Sequence, residues 1–298
     1  RPIVNMLPAL DEGETIRTVL PLPEDEDSWG ALSVVFATAK GNVRRNSMDA
    51  FANIPSNGKF AMRFDEGSDD RLIGVALLEP SDDVLLATKQ GKAIRFAGDD
   101  VREFQSRTST GVRGMTLKGD DEVVSLSILH RVGMRDQEER DEYLRFAAWK
   151  PEKEGEMGDR ERFAYLQERE QFILTVCANG YGKVSSAYEY RRTGRGGQGI
   201  TNIDNIARNG PVVASFPVRH GQQLMLVTDQ AKLIRLPLDL RHLTQDEDAA
   251  EKAFRIIGRS SAGVRLFNVA DDETIVSAVR IEESAEADEA PANDEAEA

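Results

Sequence analysis

Ala37-Thr38-Ala39-Lys40-Gly41 returns as Ala87-Thr88-Lys89-Gln90-Gly91, as Val176-Cys177-Ala178-Asn179-Gly180 and as Val227-Thr228-Asp229-Gln230-Ala231. Each copy follows a short apolar run (Leu32 to Phe36, Val84 to Leu86, Phe172 to Leu174, Leu224 to Leu226) and precedes basic residues. An apolar run, a tight turn and a second run bearing cations predict a β-hairpin with a charged return strand. A recurrence at this spacing predicts an array of small sheets, one hairpin-based unit per repeat. A cation held in each unit would set positive charge at regular intervals, a track that a polyanion can follow.

A second marker lies downstream of each hairpin: Asn57-Gly58-Lys59-Phe60, Thr110-Gly111-Val112-Arg113-Gly114, Gly197-Gln198-Gly199-Ile200 and Ala262-Gly263-Val264-Arg265. Glycine ahead of an alternating strand suits a backbone with positive φ or a close approach to another chain segment. A third marker is a pair of aspartates, Asp69-Asp70, Asp120-Asp121 and Asp271-Asp272, replaced once by Arg208-Asn209-Gly210. At turns such aspartates cap their own backbone, so turn chemistry is preferred here over acid–base or Mg²⁺ roles. The markers divide the chain into four units of about four strands each, 13–72, 72–124, 124–213 and 213–281, with residues 1–12 as the end of a further upstream unit. The predicted class is all-β.

The spacing also exposes an insertion. Gly41 to Gly91 is 50 residues and Gly180 to Ala231 is 51, but Gly91 to Gly180 is 89. The excess falls within 130–171, which is charged and helix-prone. Asp136-Gln137-Glu138-Glu139 has the form of a capping box, and Phe163 and Leu166 sit at helical spacing. A helical hairpin projecting from a blade edge is expected, as a lineage decoration or as a partner-docking element.

The formal charge is −14, which weighs against a polyanionic partner until its distribution is read. From Glu282 onward there are eight carboxylates and no Lys or Arg, more than half of the excess. This Ala/Glu/Asp tail, 282–298, holds too little apolar surface to fold and is expected to be disordered. It could compete with a polyanion for the basic surface or act only as a solubilising tail. The lone Cys177 allows no internal disulfide and fits a reducing compartment. No stretch approaches the length of a membrane span. The chain opens on Arg1-Pro2-Ile3-Val4-Asn5 rather than on Met, which reads as the middle of a longer sequence.

The cations after the hairpin turns are Arg44 and Arg45, Lys92 and Arg95, Lys183, then Lys232 and Arg235. On one strand such residues read as a solvated face. Their return in all four units turns them into candidate phosphate contacts, which supply affinity without sequence readout. Tyr190-Arg191-Arg192-Thr193-Gly194-Arg195-Gly196-Gly197-Gln198-Gly199 is the densest signal. Its arginines offer forked donors, and Gly196 and Gly197 would let backbone amides approach phosphate oxygens. Arg113, Arg259 and Arg265 complete the nominated set. The loop matches neither a P-loop nor a dinucleotide-binding glycine pattern. His130, His220 and His242 are scattered without ligand spacing, so no metal site is expected. Cys177 reads as a small buried strand residue.

Gly194-Arg-Gly-Gly-Gln-Gly, Thr110-Gly-Val-Arg-Gly, Asn179-Gly-Tyr-Gly-Lys and Arg1-Pro-Ile-Val-Asn together resemble the C-terminal domain of the DNA gyrase A protein, part of a bacterial type II topoisomerase. The resemblance covers nearly the whole chain outside the insertion. It implies a β-pinwheel, a propeller-like ring of hairpin-exchanged four-stranded blades whose basic rim wraps double-stranded DNA so that the holoenzyme can introduce negative supercoils. It implies partnership with the rest of the gyrase A protein and with the gyrase B protein in an A2B2 heterotetramer, and a cytoplasmic, nucleoid-associated setting in bacteria with no membrane contact. It also implies that ATP and Mg²⁺ serve other domains, with no cofactor and no catalytic residue in this chain. The family domain usually has six units, and its signature Gln-Arg-Arg-Gly-Gly-Lys-Gly box belongs to a unit upstream. The loop at 193–199 resembles a degenerate second copy. The related domain of topoisomerase IV, and a propeller scaffold for protein partners, are the alternative readings.

Overall fold

The apolar runs become strands because their side chains alternate between the two faces of sheets that are buried on both sides. The computed structural model describes residues 16–55, 58–150, 155–245 and 247–282, so the expectations for residues 1–12 and for the tail beyond Glu282 lie outside the described residues. In chain order the strands are β1 (Ser33–Thr38), β2 (Asn42–Ser47), β3 (Leu72–Leu78), β4 (Asp83–Thr88), β5 (Lys92–Ala97), β6 (Val112–Arg113), β7 (Val123–Leu129), β8 (Phe172–Cys177), β9 (Tyr181–Ser186), β10 (Ile200–Thr201), β11 (Val212–Val218), β12 (Gln222–Thr228), β13 (Leu233–Leu238), β14 (Val264–Arg265) and β15 (Ile275–Ile281). They form antiparallel sheets in the orders β3-β1-β2-β6, β10-β5-β4-β7, β11-β8-β9-β14 and β13-β12-β15.

The central hairpin of each blade is one copy of the recurring phrase. Its turn glycines Gly41, Gly91 and Gly180 have φ near +80° to +85°, and Ala231 takes the same place with φ 62°. The outer strand of each of the first three blades comes from the next unit. β6 follows the second hairpin but pairs with β2, β10 pairs with β5, and β14 pairs with β9. β3, β7, β11 and β15 touch from blade to blade, which places them at the shared centre and β6, β10 and β14 at the outer margin. Four strands per unit were expected. Among the described residues the fourth blade has three, and no strand lies on the outer side of β13.

The exchange depends on glycine. Gly111 and Gly199 each stand one residue before an exchange strand, with φ of +92° and +71°. A methyl group on either would run into the carbonyl oxygen of the preceding blade, Val43 O or Ala93 O. Gly58 carries the same marker with open space around its α-carbon.

The cores lie between blades. Val35, Leu78, Leu86 and Phe96 fill the first interface, and Leu174, Val176, Leu224 and Leu226 the last. Each fully buried side chain of this kind contributes roughly 2 kcal/mol.

The segment between β7 and β8 forms two helices, α1 (Gln137–Phe146) and α2 (Arg160–Glu168). The capping box is used in a shifted form. Asp136 Oδ1 accepts from the Glu139 amide at 2.8 Å, but Glu139 Oε2 accepts from the Arg135 amide at 2.7 Å rather than from Asp136. Tyr143, Met157 and Leu166 pack with Tyr188 of blade three. One carboxylate fastens the insertion to that blade. Glu170 accepts from Tyr143 Oη at 2.7 Å, Trp149 Nε1 at 3.0 Å and Ser186 Oγ at 2.5 Å. Burial raises its pKa above the usual glutamate range against these hydrogen bonds, which act to lower it.

Glu170→Ala should lower the unfolding free energy by roughly 2–4 kcal/mol, because three donors lose their acceptor. Urea unfolding followed by tryptophan emission reads the loss. Gly199→Ala should cost at least about 2 kcal/mol through its positive φ and the collision with Ala93 O, as read in the same assay. An unchanged midpoint would show that the exchange strand tolerates a side chain there.

Candidate nucleic-acid interface

Sequence reasoning places phosphate contacts on the return strands. The structure buries three of them. Arg44 is fully buried, with Nε donating to Asn46 Oδ1 at 2.8 Å and Nη1 donating to Arg107 O and Ser109 O at 2.8 and 2.6 Å. Its Nη2 donates to Ala61 O, and its guanidinium lies over the Phe36 ring. Lys183, at the same place in blade three, is 1% exposed and donates to Ser185 Oγ, which in turn donates to Ile257 O. Arg95 is 9% exposed and chelates the buried Asp83 at 2.9 Å, while Nη1 donates to Ala187 O at 3.1 Å. Arg45 is mostly covered and paired with Asp99 at 3.1 Å.

These corrections share one physical reason. The outer side of these return strands is overlaid by the exchange segment of the next unit, which makes parallel bridges such as Arg45 to Glu103 and Arg95 to Arg192. A cation on such a strand is therefore roofed over, and it becomes a peg whose donors hold the carbonyls of the roof. Burial lowers the Arg44 pKa to about 10, and Arg107 adds to the shift, so Arg44 stays charged near neutral pH. Burial carries Lys183 down to about 7, with Glu189 opposing the shift and Arg259 adding to it.

The roof carries the exposed charge. The fourteen residues from nine before to four after Gly111, Gly199 and Gly263 are 102–115, 190–203 and 254–267, and each holds three arginines. They are Arg102, Arg107 and Arg113, then Arg191, Arg192 and Arg195, then Arg255, Arg259 and Arg265. Glu103 is the single acid in all three windows. Sequence reasoning misses Arg102, Arg107 and Arg255. The signal that finds them is a fixed offset from the glycine marker, not from the hairpin turn.

Arg113, Arg191, Arg192, Arg195 and Arg265 are exposed. Arg195 is aimed by two backbone carbonyls, Asp100 O at 2.9 Å and Arg113 O at 3.0 Å, so one loop braces the neighbouring loop's arginine. Arg265 lies over the Tyr181 ring and donates to its hydroxyl at 2.6 Å. Arg259 is half-buried, tied through Nε to Glu189 O at 3.1 Å and through Nη1 to Thr201 O, and acts as a further peg. Lys92 is exposed and donates to Thr201 Oγ1 at 3.2 Å. Lys232 lies 3.6 Å from Glu273, and Arg235 is exposed on the uncovered β13.

The glycine reading of the loop needs correction at Gly196. Its amide donates to Gly114 O at 2.6 Å and is not free for a phosphate. The Gly197 carbonyl accepts from the Thr116 amide at 2.9 Å, so these glycines serve blade-to-blade packing.

Cys177 is buried, with its thiol pushed up to about 12 by burial. The pairs at Asp70 and Asp121 close turns: Asp70 Oδ1 accepts from the Lys40 and Arg71 amides, and Asp121 Oδ1 from the Gln90 and Glu122 amides. Among the described residues, Glu79, Asp82 and His130 place ligand atoms within 4.8 Å of one another. The Asp82 carboxylate is already engaged there, by the Glu79 amide at 3.1 Å and by His130 Nδ1 at 3.0 Å. No helix among the described residues is long and apolar enough to cross a membrane.

Four blades joined by exchanged strands, with arginine-bearing loops at the outer margin, define a β-pinwheel of the propeller class. The model of the DNA gyrase C-terminal domain, a β-propeller, matches residues 33–79, 82–130, 171–219, 222–240 and 250–282, and the chain belongs to that family. The A subunit of DNA gyrase from Granulibacter bethesdensis is 44% identical over 97% of the chain, which spans 32% of that relative, about a third of its length. The fold is shared with a solved DNA gyrase A C-terminal domain (TM-score 0.58, 19% identity, 84% of this chain and 66% of that one). It is also shared with a solved C-terminal domain of DNA topoisomerase IV (TM-score 0.67, 17% identity, 94% and 70%).

Lys183 gives a test of the peg reading. Between about pH 7 and 10.5 the unfolded chain holds a proton on this lysine that the folded chain lacks, so its contribution makes stability rise with pH across that window. The slope is at most about 1.4 kcal/mol per pH unit for one proton. Lys183→Met should remove this component, as measured by urea unfolding at pH 7, 8 and 9. Parallel curves for the two proteins would mean that Lys183 is solvated.

Proposed function

We propose that this chain bends duplex DNA around its outer margin, as the wrapping domain of a DNA gyrase A protein. The observation that carries the reading is the margin itself. In a chain of formal charge −14, three exchange loops hold nine arginines and one acid, and they lie on the outermost strands of successive blades. Exposed arginines repeated from blade to blade meet a phosphate backbone at successive points and read no bases, so binding should be largely independent of sequence. The contacts proposed are Arg113, Arg191, Arg192, Arg195 and Arg265, with Lys92, Arg235 and Lys232 flanking them. Arg44, Arg95, Lys183 and Arg259 support them from beneath.

In the assembled enzyme this domain would act beside the rest of the gyrase A protein and with the gyrase B protein, in an A2B2 complex in the bacterial cytoplasm. ATP and Mg²⁺ would be handled by other domains, and wrapping would bias strand passage towards negative supercoils. The fold likeness to the topoisomerase IV domain leaves that enzyme as the second reading. Relaxation and decatenation without supercoiling by the intact enzyme would favour it.

The direct test is binding to a linear duplex of about 40 base pairs across a salt series. Arg191→Ala/Arg192→Ala/Arg195→Ala should weaken binding roughly tenfold or more and reduce the salt slope by up to about 3, one for each lost phosphate contact. An unchanged slope would remove the loop from the interface, and no binding by the parent chain at low salt would favour a protein scaffold.

A further inference from the structure

The three histidines, at 130, 220 and 242, are scattered in sequence but meet in space. They line one cavity of about 560 Å³ at the ends of the central strands, between blades two to four and the helical insertion. Arg219 and Arg280 line the same cavity, and so does Glu282, the last described residue before the acidic tail.

The charges around this cavity are unevenly satisfied. Glu170 is bound by Tyr143, Trp149 and Ser186. Glu168 takes Arg169 at 2.5 Å, and Glu282 Oε1 accepts from Gln222 Nε2 at 2.7 Å. On the cationic side, neither Arg219 nor Arg280 makes an ion pair within 4 Å of a described carboxylate. Arg280 donates to Pro217 O, and its other guanidinium donors have no partner among the described residues. Both guanidiniums line the cavity, and partial burial lowers the Arg280 pKa against the pull of Glu282, with Arg219 adding to the lowering. Guanidiniums lining one cavity repel each other, and an anion between them relieves the repulsion.

The imidazoles add donors. His220 Nδ1 accepts from the Leu240 amide at 3.0 Å, so the neutral ring carries its proton on Nε2 and presents an N–H. His242 is half-buried, and its Nδ1 is shut from solvent without a partner among the described residues.

We infer that this cavity is the docking site of the chain's own acidic tail, with carboxylates of Glu283 to Glu289 held by Arg219 and Arg280. Two observations select that occupant. The tail begins at the cavity mouth, because Glu282 is one of its walls. Residues 283–298 carry seven carboxylates and no cation, complementary to a pair of arginines that make no ion pair within 4 Å of a described carboxylate. A tether this short gives an effective concentration in the millimolar range, so even a weak site would be filled by its own tail. The site lies at the central strands β7, β11 and β15, whereas the arginine loops lie at the outer margin, so a docked tail is held away from the proposed DNA path. This inference stands independently of the DNA reading.

The test uses a fluorescent synthetic peptide of residues 283–298 and a chain ending at Glu282, which keeps every described strand. Anisotropy at low salt should show saturable binding to the shortened chain. The intact chain should bind the peptide roughly tenfold more weakly, because its own tail occupies the site. Arg219→Gln/Arg280→Gln in the shortened chain should abolish saturation while leaving affinity for the 40-base-pair duplex and the melting temperature unchanged. Arg191→Gln/Arg192→Gln/Arg195→Gln should bind peptide as the parent does. Loss of peptide binding in the loop variant but not in the cavity variant would put the tail on the outer margin and overturn the assignment. Equal binding by the intact and shortened chains, or no saturable binding by either, would overturn it as well.

Discussion

The rest of the structure depends on one contact: the laying of a short strand from one unit onto the return strand of the unit before it. Only two residues pair at each such place, but the approach is so close that glycine is required just ahead of it. The blades are thereby linked in series, each completed by a segment fifty or more residues downstream. Forming such contacts requires closing long loops, so the array is expected to gain its order from interfaces between units rather than from any blade alone. The same rule leaves β13 without an outer neighbour among the described residues. Leu233 on that strand is 59% exposed, where its counterparts in other blades lie under an exchange loop.

The overlay also sorts the cations by role. Arg44 and Lys183 are buried beneath it, and their hydrogen bonds reach the backbone above them, directly from Arg44 and through Ser185 from Lys183. Arg95 is buried with Asp83, which Arg131 approaches from a second side at 3.2 Å. Removing one member of such a buried arrangement leaves the other uncompensated, so these residues matter for the fold even though they meet no ligand. In the overlay itself, Arg195 is braced by carbonyls of the neighbouring loop and Arg265 by a tyrosine ring, and both remain exposed. An acidic chain can thus carry a basic margin, because charge is placed by topology and not by net composition.

The insertion belongs to the opposite region of the molecule. Glu170 anchors the helices at the base of blade three, and by doing so it closes one side of the cavity in which the histidines and the arginine pair of blades three and four meet. A decoration of roughly forty residues therefore changes the surface near the centre of the array, and its Trp149 reaches the pocket lined by Arg255, Ile256 and Ile257 of the last exchange loop.

The sequence by itself determined the repeat, the hairpins, the place and helical character of the insertion, and the need for glycine at 111, 199 and 263. These are local: a turn, an alternating run or a cap is decided by residues within a few positions of one another. It also marked the Gly-Arg loop, whose composition is unusual wherever it lies. Tertiary structure alone decided which cations face solvent. Arg44 and Arg113 look alike in sequence, but one lies under a segment that begins about sixty residues later and the other is part of that segment. The convergence of His130, His220 and His242 was hidden for the same reason, since their meeting depends on how three blades pack. Spacing along a chain reports neighbours within an element, whereas burial and charge pairing depend on what folds over that element from afar.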